Sequence, residues 1–411
     1  MKIKAAFLGF GARGQCYANY IFANESAFEV VAVAEPKKHL QKLAVEKYKC
    51  PANAVFDNWK AFIESKVEAD LVFVVTQDND HVEPAIEAIK AGYKYLMVEK
   101  PIDKDINKCK LLAEIADDYQ ATVQVCHSLR YTNFYRRVKS LLDSGIIGDI
   151  RSIDHIEALG TFHFAHSYVR GDWRRDDSSP MILAKCCHDT DLLLWLTGQH
   201  CKSISSYGSL DFFKEENAPA GAPVRCIEGC PHNEVCPYSA MKYFGEYKDH
   251  LFREYAVEKE GFSSTDEAMR NGRYGRCVFH SDNNVVDHQT VNILFENNAT
   301  ATLTMCGFSN AGRETHIMGT MGEIRACMKT DTIEVYNFRN GDKEVYHIGH
   351  PMTLHGGADT NMVADAIAVI KGEKAPMTSI KESVESHIMS IAAEESRICL
   401  KTIDLNAVAN R

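Results

Sequence analysis

Gly9-Phe10-Gly11-Ala12-Arg13-Gly14, followed at a distance by Glu35, carries spacing suited to a dinucleotide. Gly9 makes a tight turn, Gly11 lets backbone approach a pyrophosphate, and Gly14 lets a helix pack close to its strand. The helix that opens there aims unpaired N–H groups at phosphate oxygens. Glu35 stands about 20 residues beyond the last glycine, where a carboxylate accepts hydrogen bonds from both hydroxyls of the adenosine ribose. A 2′-phosphate would meet its negative charge, so NAD is expected over NADP. Lys37 and Lys38 lie close enough to soften that preference, which leaves NADP open. Two further residues have types fit for proton chemistry. Lys100 precedes a proline that biases it to extended backbone. His188 lies in an almost wholly apolar run, where a polar group needs a partner or a ligand.

These side chains must be positioned by strands and helices. Apolar strands read at 3–8, 29–34, 70–76, 94–98 and 122–126, alternating with helical runs near 13–23, 38–48, 57–64, 81–91 and 104–118. Such alternation predicts a doubly wound parallel sheet, a Rossmann domain over residues 1–126 with ligands at the carboxyl ends of its strands. Those ends carry Thr76 to Asn79, Glu99-Lys100-Pro101 and Cys126-His127. The remainder, 127–411, reads as a second α/β domain. It begins with a helix near 132–144, a strand, and a polar aromatic loop over 161–178. A helix near 180–197 follows, with Ser179 and Pro180 expected at its start and Gly198 at its end. Strands at 286–296, 299–307, 313–319, 322–327 and 332–336 predict a large open mixed or antiparallel sheet. Helices are expected at 358–371 and 379–397, the latter opened by a Ser379/Glu382 capping box. Residues 212–276, rich in Gly, Pro, Cys and charge, read as a large insertion.

With 411 residues, 45% hydrophobic and 25% charged, the chain has room for two or more cores. A net charge of −10 argues against nucleic acid as the main partner and leaves a neutral small molecule open. No apolar run approaches a membrane span. A first strand beginning at residue 3 leaves no room for a leader, and fourteen cysteines then suggest reduced thiols in a cytoplasm. Three of them, Cys226, Cys230 and Cys236, cluster in the insertion, and Cys277 could supply a fourth ligand, with His232 and His280 as substitutes. Structural zinc, an iron–sulfur cluster and free thiols are all open there. Cys186 and Cys187 read as buried fillers.

The glycine loop, the Glu99-Lys100-Pro101 triplet, His188-Asp189-Thr190-Asp191 on a helix ending Trp195-Leu196-Thr197-Gly198, and His355-Gly356-Gly357-Ala358-Asp359 occur together. On these motifs the chain resembles the Gfo/Idh/MocA family of sugar and polyol oxidoreductases over nearly its whole length apart from the insertion. The resemblance implies a hydride moving between NAD(P) and a secondary alcohol of a sugar, polyol or glycoside, with His188 as acid/base and Lys100 polarising the oxygen. It also implies that Thr76, Asn79 and His81, with Glu99 and Lys100, cover the cofactor, and that the open sheet builds a homo-oligomer, a dimer or tetramer. Two alternatives stand beside this: glycoside cleavage by transient oxidation, elimination and reduction on retained NAD, and a non-catalytic dinucleotide sensor. The loop from His163 to Arg174 mixes aromatic and hydrogen-bonding groups as sugar pockets do. His166, Tyr168, Arg170, Trp173 and Arg174 are therefore substrate candidates, joined by His127, Arg130 and His355. One departure is marked: many family members carry aspartate where this chain has Ala184, with Lys185 beside it. Lys185 is expected to bind a substrate oxygen, to tune His188 by repulsion, or to pair with Asp189.

Overall fold

The computed structural model describes residues 2–310, 312–349 and 357–409. Its first sheet holds β1 (Ile3–Leu8), β2 (Phe28–Ala34), β3 (Val55–Phe56), β4 (Leu71–Val74), β5 (Tyr95–Val98) and β6 (Thr122–Val125). The order is β3-β2-β1-β4-β5-β6, and every pair is parallel. Helices α1 (Ala12–Ala23), α2 (Lys38–Glu46), α3 (Trp59–Ser65), α4 (Val82–Lys90) and α5 (Ile106–Asp118) form the crossovers. Strands β4 and β5, reading LVFV and YLMV, are buried at every position, as strands covered on both faces must be. Between β1 and β4 the chain reverses its direction of winding, and that crevice is where such sheets bind ligands.

Next come α6 (Asn133–Asp143), β7 (Ile150–Ala158), the short α7 (Thr161–Phe164) and α8 (Met181–Thr197). The second sheet has nine strands, β14-β13-β12-β11-β7-β10-β9-β8-β15. They are β8 (Cys201–Ser209), β9 (His288–Phe295), β10 (Thr300–Cys306), β11 (Gly312–Gly319), β12 (Gly322–Cys327), β13 (Thr332–Asn337), β14 (Lys343–His347) and β15 (Ile403–Asp404), with β7 already named. Only β7 and β10 run parallel, so the sheet is mixed as expected. Alternating burial along β7, β9 and β10 shows one face covered and one facing out. Helix α8 is apolar nearly all round because it lies between this sheet and other elements.

Insertion helices α9 (Leu251–Ala256) and α10 (Thr265–Asn271) join Phe162 of α7 in a separate small core with Tyr243, Val257, Met269 and Tyr274. Near the end, α11 (Ala358–Ile370) returns to the first sheet: Ala358, Met362, Val363 and Ala366 pack with Phe7, Tyr17 and Phe73. The division drawn at residue 126 is thus crossed by a helix from far downstream. Helix α12 (Ile380–Cys399) then packs on α8 and β8.

Two helix starts differ from expectation. Ser179 does not cap α8; Pro180 holds the N-cap position, and the buried Ser179 hydroxyl has no hydrogen-bond partner among the described residues. The Ser379/Glu382 box is only half made. Ser379 Oγ accepts the Glu382 N–H at 3.4 Å, but the Glu382 carboxylate is drawn away to Arg130.

Candidate active site

The glycine turn has the shape a dinucleotide needs. Gly9 has φ +91°, and a Cβ there would sit 2.4 Å from the Val75 carbonyl oxygen. A Cβ on Gly14 would press on the Gly9 oxygen at 3.1 Å, whereas one on Gly11 would meet nothing within 4 Å. The space over Gly11 is therefore open, at the N-cap of α1, which has no side-chain cap. Gln15 N–H is the first to bond back along this helix, to Gly11, so the amides before it can face a phosphate. Phe10 contributes backbone only: its ring is buried against Phe7 and Tyr48, and its N–H donates to Glu35 Oε2 at 2.8 Å. Lys37 N–H donates to the other Glu35 oxygen at 3.0 Å. Two backbone donors thus fix the carboxylate at the end of β2, with lone pairs left for hydroxyl donors. Lys38 pairs with Asp57 on the surface and turns its charge away from Glu35.

Arg13 does not point at the phosphate position. Its guanidinium bonds Glu99 Oε1 at 2.6 Å, Asp359 Oδ1 at 2.7 Å and the Tyr17 hydroxyl at 2.6 Å. Glu99 also accepts from Tyr17 at 2.5 Å and from the Lys100 N–H at 2.9 Å. Burial works to raise the Glu99 pKa, but Arg13 and Lys100 together with these hydrogen bonds hold it below the ordinary value. The triplet's glutamate thus favours its charged form and fixes the backbone from which Lys100 projects.

Lys100 Nζ donates to the Ala184 carbonyl of α8 at 2.8 Å. In an α-helix that carbonyl also receives the N–H four residues on, which is His188. The ammonium thus reaches from the end of β5 to the helical turn of α8 that bears His188. His127, just past β6, packs its ring on His188 at 5.7 Å and on His387 of α12 at 5.6 Å. Burial, Arg130 and Lys100 all push the His127 pKa well below the usual imidazole value, so it is neutral. His387 accepts the Ile102 N–H at Nε2 (2.8 Å) and is pushed to about 3, chiefly by burial and by His127. Sequence reading passes over His387, since nothing local in α12 tells a bracing histidine from an ordinary core one.

Lys185 pairs with Glu157 at the end of β7, at 3.2 Å, and not with Asp189. Asp189 instead takes Arg313 Nε at 2.7 Å and lies 2.9 Å from His155 Nε2. Arg313 reaches Glu157 as well, at 2.6 Å, which closes a buried charge network under α8. Glu157, Arg313 and His155 go unnoticed in the sequence because their partners lie on other strands. Asp78, just past β4, accepts the Trp173 indole N–H at 2.7 Å and ties the two domains across the cleft. Tyr168 is buried near Trp173 and Phe164.

Several expected contacts are spent elsewhere. Arg130 is buried and forks onto Asp191 with two bonds of 2.7 Å, then holds Glu382 and the Met377 carbonyl; it braces α8 against α12. Arg174 lies on Asp282 near the surface. His166 stacks on Tyr274 and bonds Tyr243, and Arg170 holds the Arg276 and Tyr238 carbonyls, so both anchor the insertion. On the cofactor side, the Thr76 hydroxyl donates to the Asp80 carbonyl, Asn79 donates to the Asp177 carbonyl at 3.3 Å, and His81 is buried with Nδ1 at 2.8 Å from the Pro101 oxygen. His355 lies outside the described residues. Cys186 and Cys187 are buried, as small fillers should be. Among the described residues no group of three or more His, Cys, Asp or Glu side chains stands arranged as a metal centre, and all fourteen cysteines are free.

Comparison with known proteins bears on the family and the fold. Residues 3–127 match the oxidoreductase family with an NAD-binding Rossmann fold, and residues 135–226 match the Gfo/Idh/MocA C-terminal domain. The chain belongs to the Gfo/Idh/MocA family. YteT of Bacillus subtilis (strain 168) is 23% identical over 314 residues, 72% of this chain and 71% of YteT. An inositol 2-dehydrogenase of Salmonella typhimurium (strain LT2) is 24% identical over 208 residues, which is half of this chain and 58% of that relative. Among solved structures, an oxidoreductase from Agrobacterium radiobacter in complex with NAD+, L-tartaric acid and magnesium superposes with TM-score 0.71 at 14% identity over 99% of both chains. A scyllo-inositol dehydrogenase from Lactobacillus casei with bound NAD(H) and scyllo-inositol gives 0.70 at 16% identity, covering 99% of this chain and all of that one. This Gfo/Idh/MocA protein is thus an NAD-binding oxidoreductase by family, and no helix among its described residues is long and apolar enough to cross a membrane.

Proposed function

We propose that this protein moves a hydride between NAD and a secondary alcohol of a polyol or sugar, with His188 exchanging the hydroxyl proton and Lys100 holding the oxygen. The observation that carries the reading is the Lys100–Ala184 bond, which brings the ammonium to the helical turn bearing His188. When bound, the nicotinamide supplies or receives the hydride. The chain's own part is orientation and proton handling. Lys100 is a point charge with three donors, so one can hold the helix while others face a substrate oxygen. Neutral His127 supports the site from behind: neither ring nitrogen has a partner among the described residues, a cost that a hydroxyl-bearing ligand would relieve. Tyr168 and Lys185 are the remaining substrate candidates we retain. Inositol 2-dehydrogenases among the relatives support a polyol, while Ala184 and Lys185 argue that the substrate is not simply inherited from them. The outward row Tyr207, Thr290, Thr304, Ile156 across the second sheet supports a homo-oligomer built on that face.

A panel of inositols, monosaccharides and simple glycosides with NAD, read at once for NADH absorbance and released aglycone, tests the reading. NADH accumulating with a polyol or sugar supports it. Aglycone release without NADH would replace it by redox-assisted glycoside cleavage. Cofactor choice has its own test. Glu35→Ala is expected to weaken NAD binding about 10- to 100-fold, the worth of hydrogen bonds to a carboxylate, and to leave NADP binding unchanged or tighter. Fluorescence titration with both nucleotides checks this; equal loss for the two would contradict the role given to Glu35.

A further inference from the structure

Outside the cleft, the insertion folds around its cysteines. An antiparallel bridge, Arg225 to Arg276, sets two backbone segments side by side. Cys226 N–H donates to the Gly275 carbonyl at 3.2 Å, and Cys277 N–H donates to Val224 at 2.8 Å. These bonds bring Cys277 next to Cys226 across some fifty residues of chain. Turns then carry Cys230 and Cys236 to the same place, with Cys236 N–H bonded to the His232 carbonyl at 2.8 Å. All four thiols, with Arg170, line one cavity of about 20 Å³. That volume suits a single water-sized guest. The two histidines nearby are engaged elsewhere: His232 Nε2 lies 2.9 Å from the Ala220 oxygen, and His280 Nε2 lies 3.3 Å from the Ala222 oxygen.

From this convergence we propose that Cys226, Cys230, Cys236 and Cys277 bind one zinc ion that staples the insertion. Four soft sulfur donors and no open position describe a closed structural site. The sulfurs wall the cavity without meeting at a common point, so binding requires their thiols to turn inward about single bonds. The need for a staple is visible in the surroundings: most of 210–250 is turns and short 3-10 segments, held by a few side chains such as Phe213 and Tyr238 on the main core and Ala240 and Tyr243 on the small one. A link to the cleft follows from Arg170. Its guanidinium lies 4.0 Å from Cys226 Sγ and holds the Tyr238 carbonyl, while its backbone belongs to the segment leading to Trp173.

The test uses the full chain produced with zinc in the medium. Elemental analysis is expected to find about one zinc per chain, and a mercurial reagent is expected to release it as thiols are titrated. Cys230→Ser with Cys236→Ser is expected to bring zinc below about a tenth per chain, while His232→Ala keeps it. Should the double variant fail to fold, titration of the wild-type chain stands alone as the measurement. Wild-type protein with no zinc and four freely reactive thiols would overturn the proposal, as would iron with acid-labile sulfide, or a Cys226–Cys277 disulfide.

Discussion

Lys100→Met is expected to lower kcat about a thousand-fold while NAD binds within a few-fold of the original affinity. The size reflects what a positioned proton-handling group contributes, roughly 10²- to 10⁴-fold. In the proposed reaction Lys100 also holds the alcohol oxygen whose proton His188 exchanges. Methionine keeps an unbranched stem of nearly the same length and removes the terminal charge and its donors. The fold should bear the change, because Ala184 O retains the His188 N–H as its helical partner and Lys100 is half-buried at a strand end. Glu99 loses one of two cations but keeps Arg13 and the Tyr17 hydroxyl. The glycine turn and Glu35 are untouched, so nucleotide binding is preserved. Stopped-flow absorbance for the hydride step and nucleotide fluorescence for binding separate the two effects. Undiminished turnover would remove Lys100 from the chemistry, and lost NAD binding would make it a cofactor ligand instead.

Arg130→Ala is expected to cost about 3–5 kcal/mol of stability, the penalty for breaking a buried ion pair from one side. Asp191 is wholly buried, and Arg130 is its one hydrogen-bond partner among the described residues. Without the guanidinium the carboxylate must stay charged in a dry setting or take up a proton. Burial already pushes its pKa up despite Arg130. The Met377 carbonyl and Glu382 lose their donor in the same step, which loosens the approach to α12. Urea unfolding, with substrate kinetics at a permissive temperature, checks this. A variant of normal stability with a raised KM would return Arg130 to the substrate list.

The dinucleotide half is legible because its rules are local. Glycine spacing, an acid at the right distance and near-continuous apolar strands all sit within short windows, and β1, β2, β4, β5 and β6 fall where the pattern puts them. Strand β3 has two residues and β15 two more, too few for any period to show. Strands β8 and β14 also escape a reading by pattern; β14 is largely exposed and reads as polar chain. The segment from His163 to Arg174 shows the opposite limit. Its hydrogen-bonding groups look available until the partners appear: Tyr243 for His166, Arg276 for Arg170 and Asp282 for Arg174, each dozens of residues away. A sequence shows what a side chain can donate; it does not show which distant group has already accepted. Lys100 and His188 are singled out by the motifs, whereas bringing Lys100 to the turn that bears His188 depends on α8 crossing the end of β5.

The homeward path of α11 bears on how this protein comes into being. Chains are synthesised from the amino end, and early portions fold as they emerge. Here Asp359 completes the pairing of Arg13, and Met362 and Val363 seal apolar surface beside Tyr17 and Phe73. This flank of the first sheet therefore stays unfinished on the ribosome until well over 300 residues have been made. Its exposed surface is one for chaperones to guard.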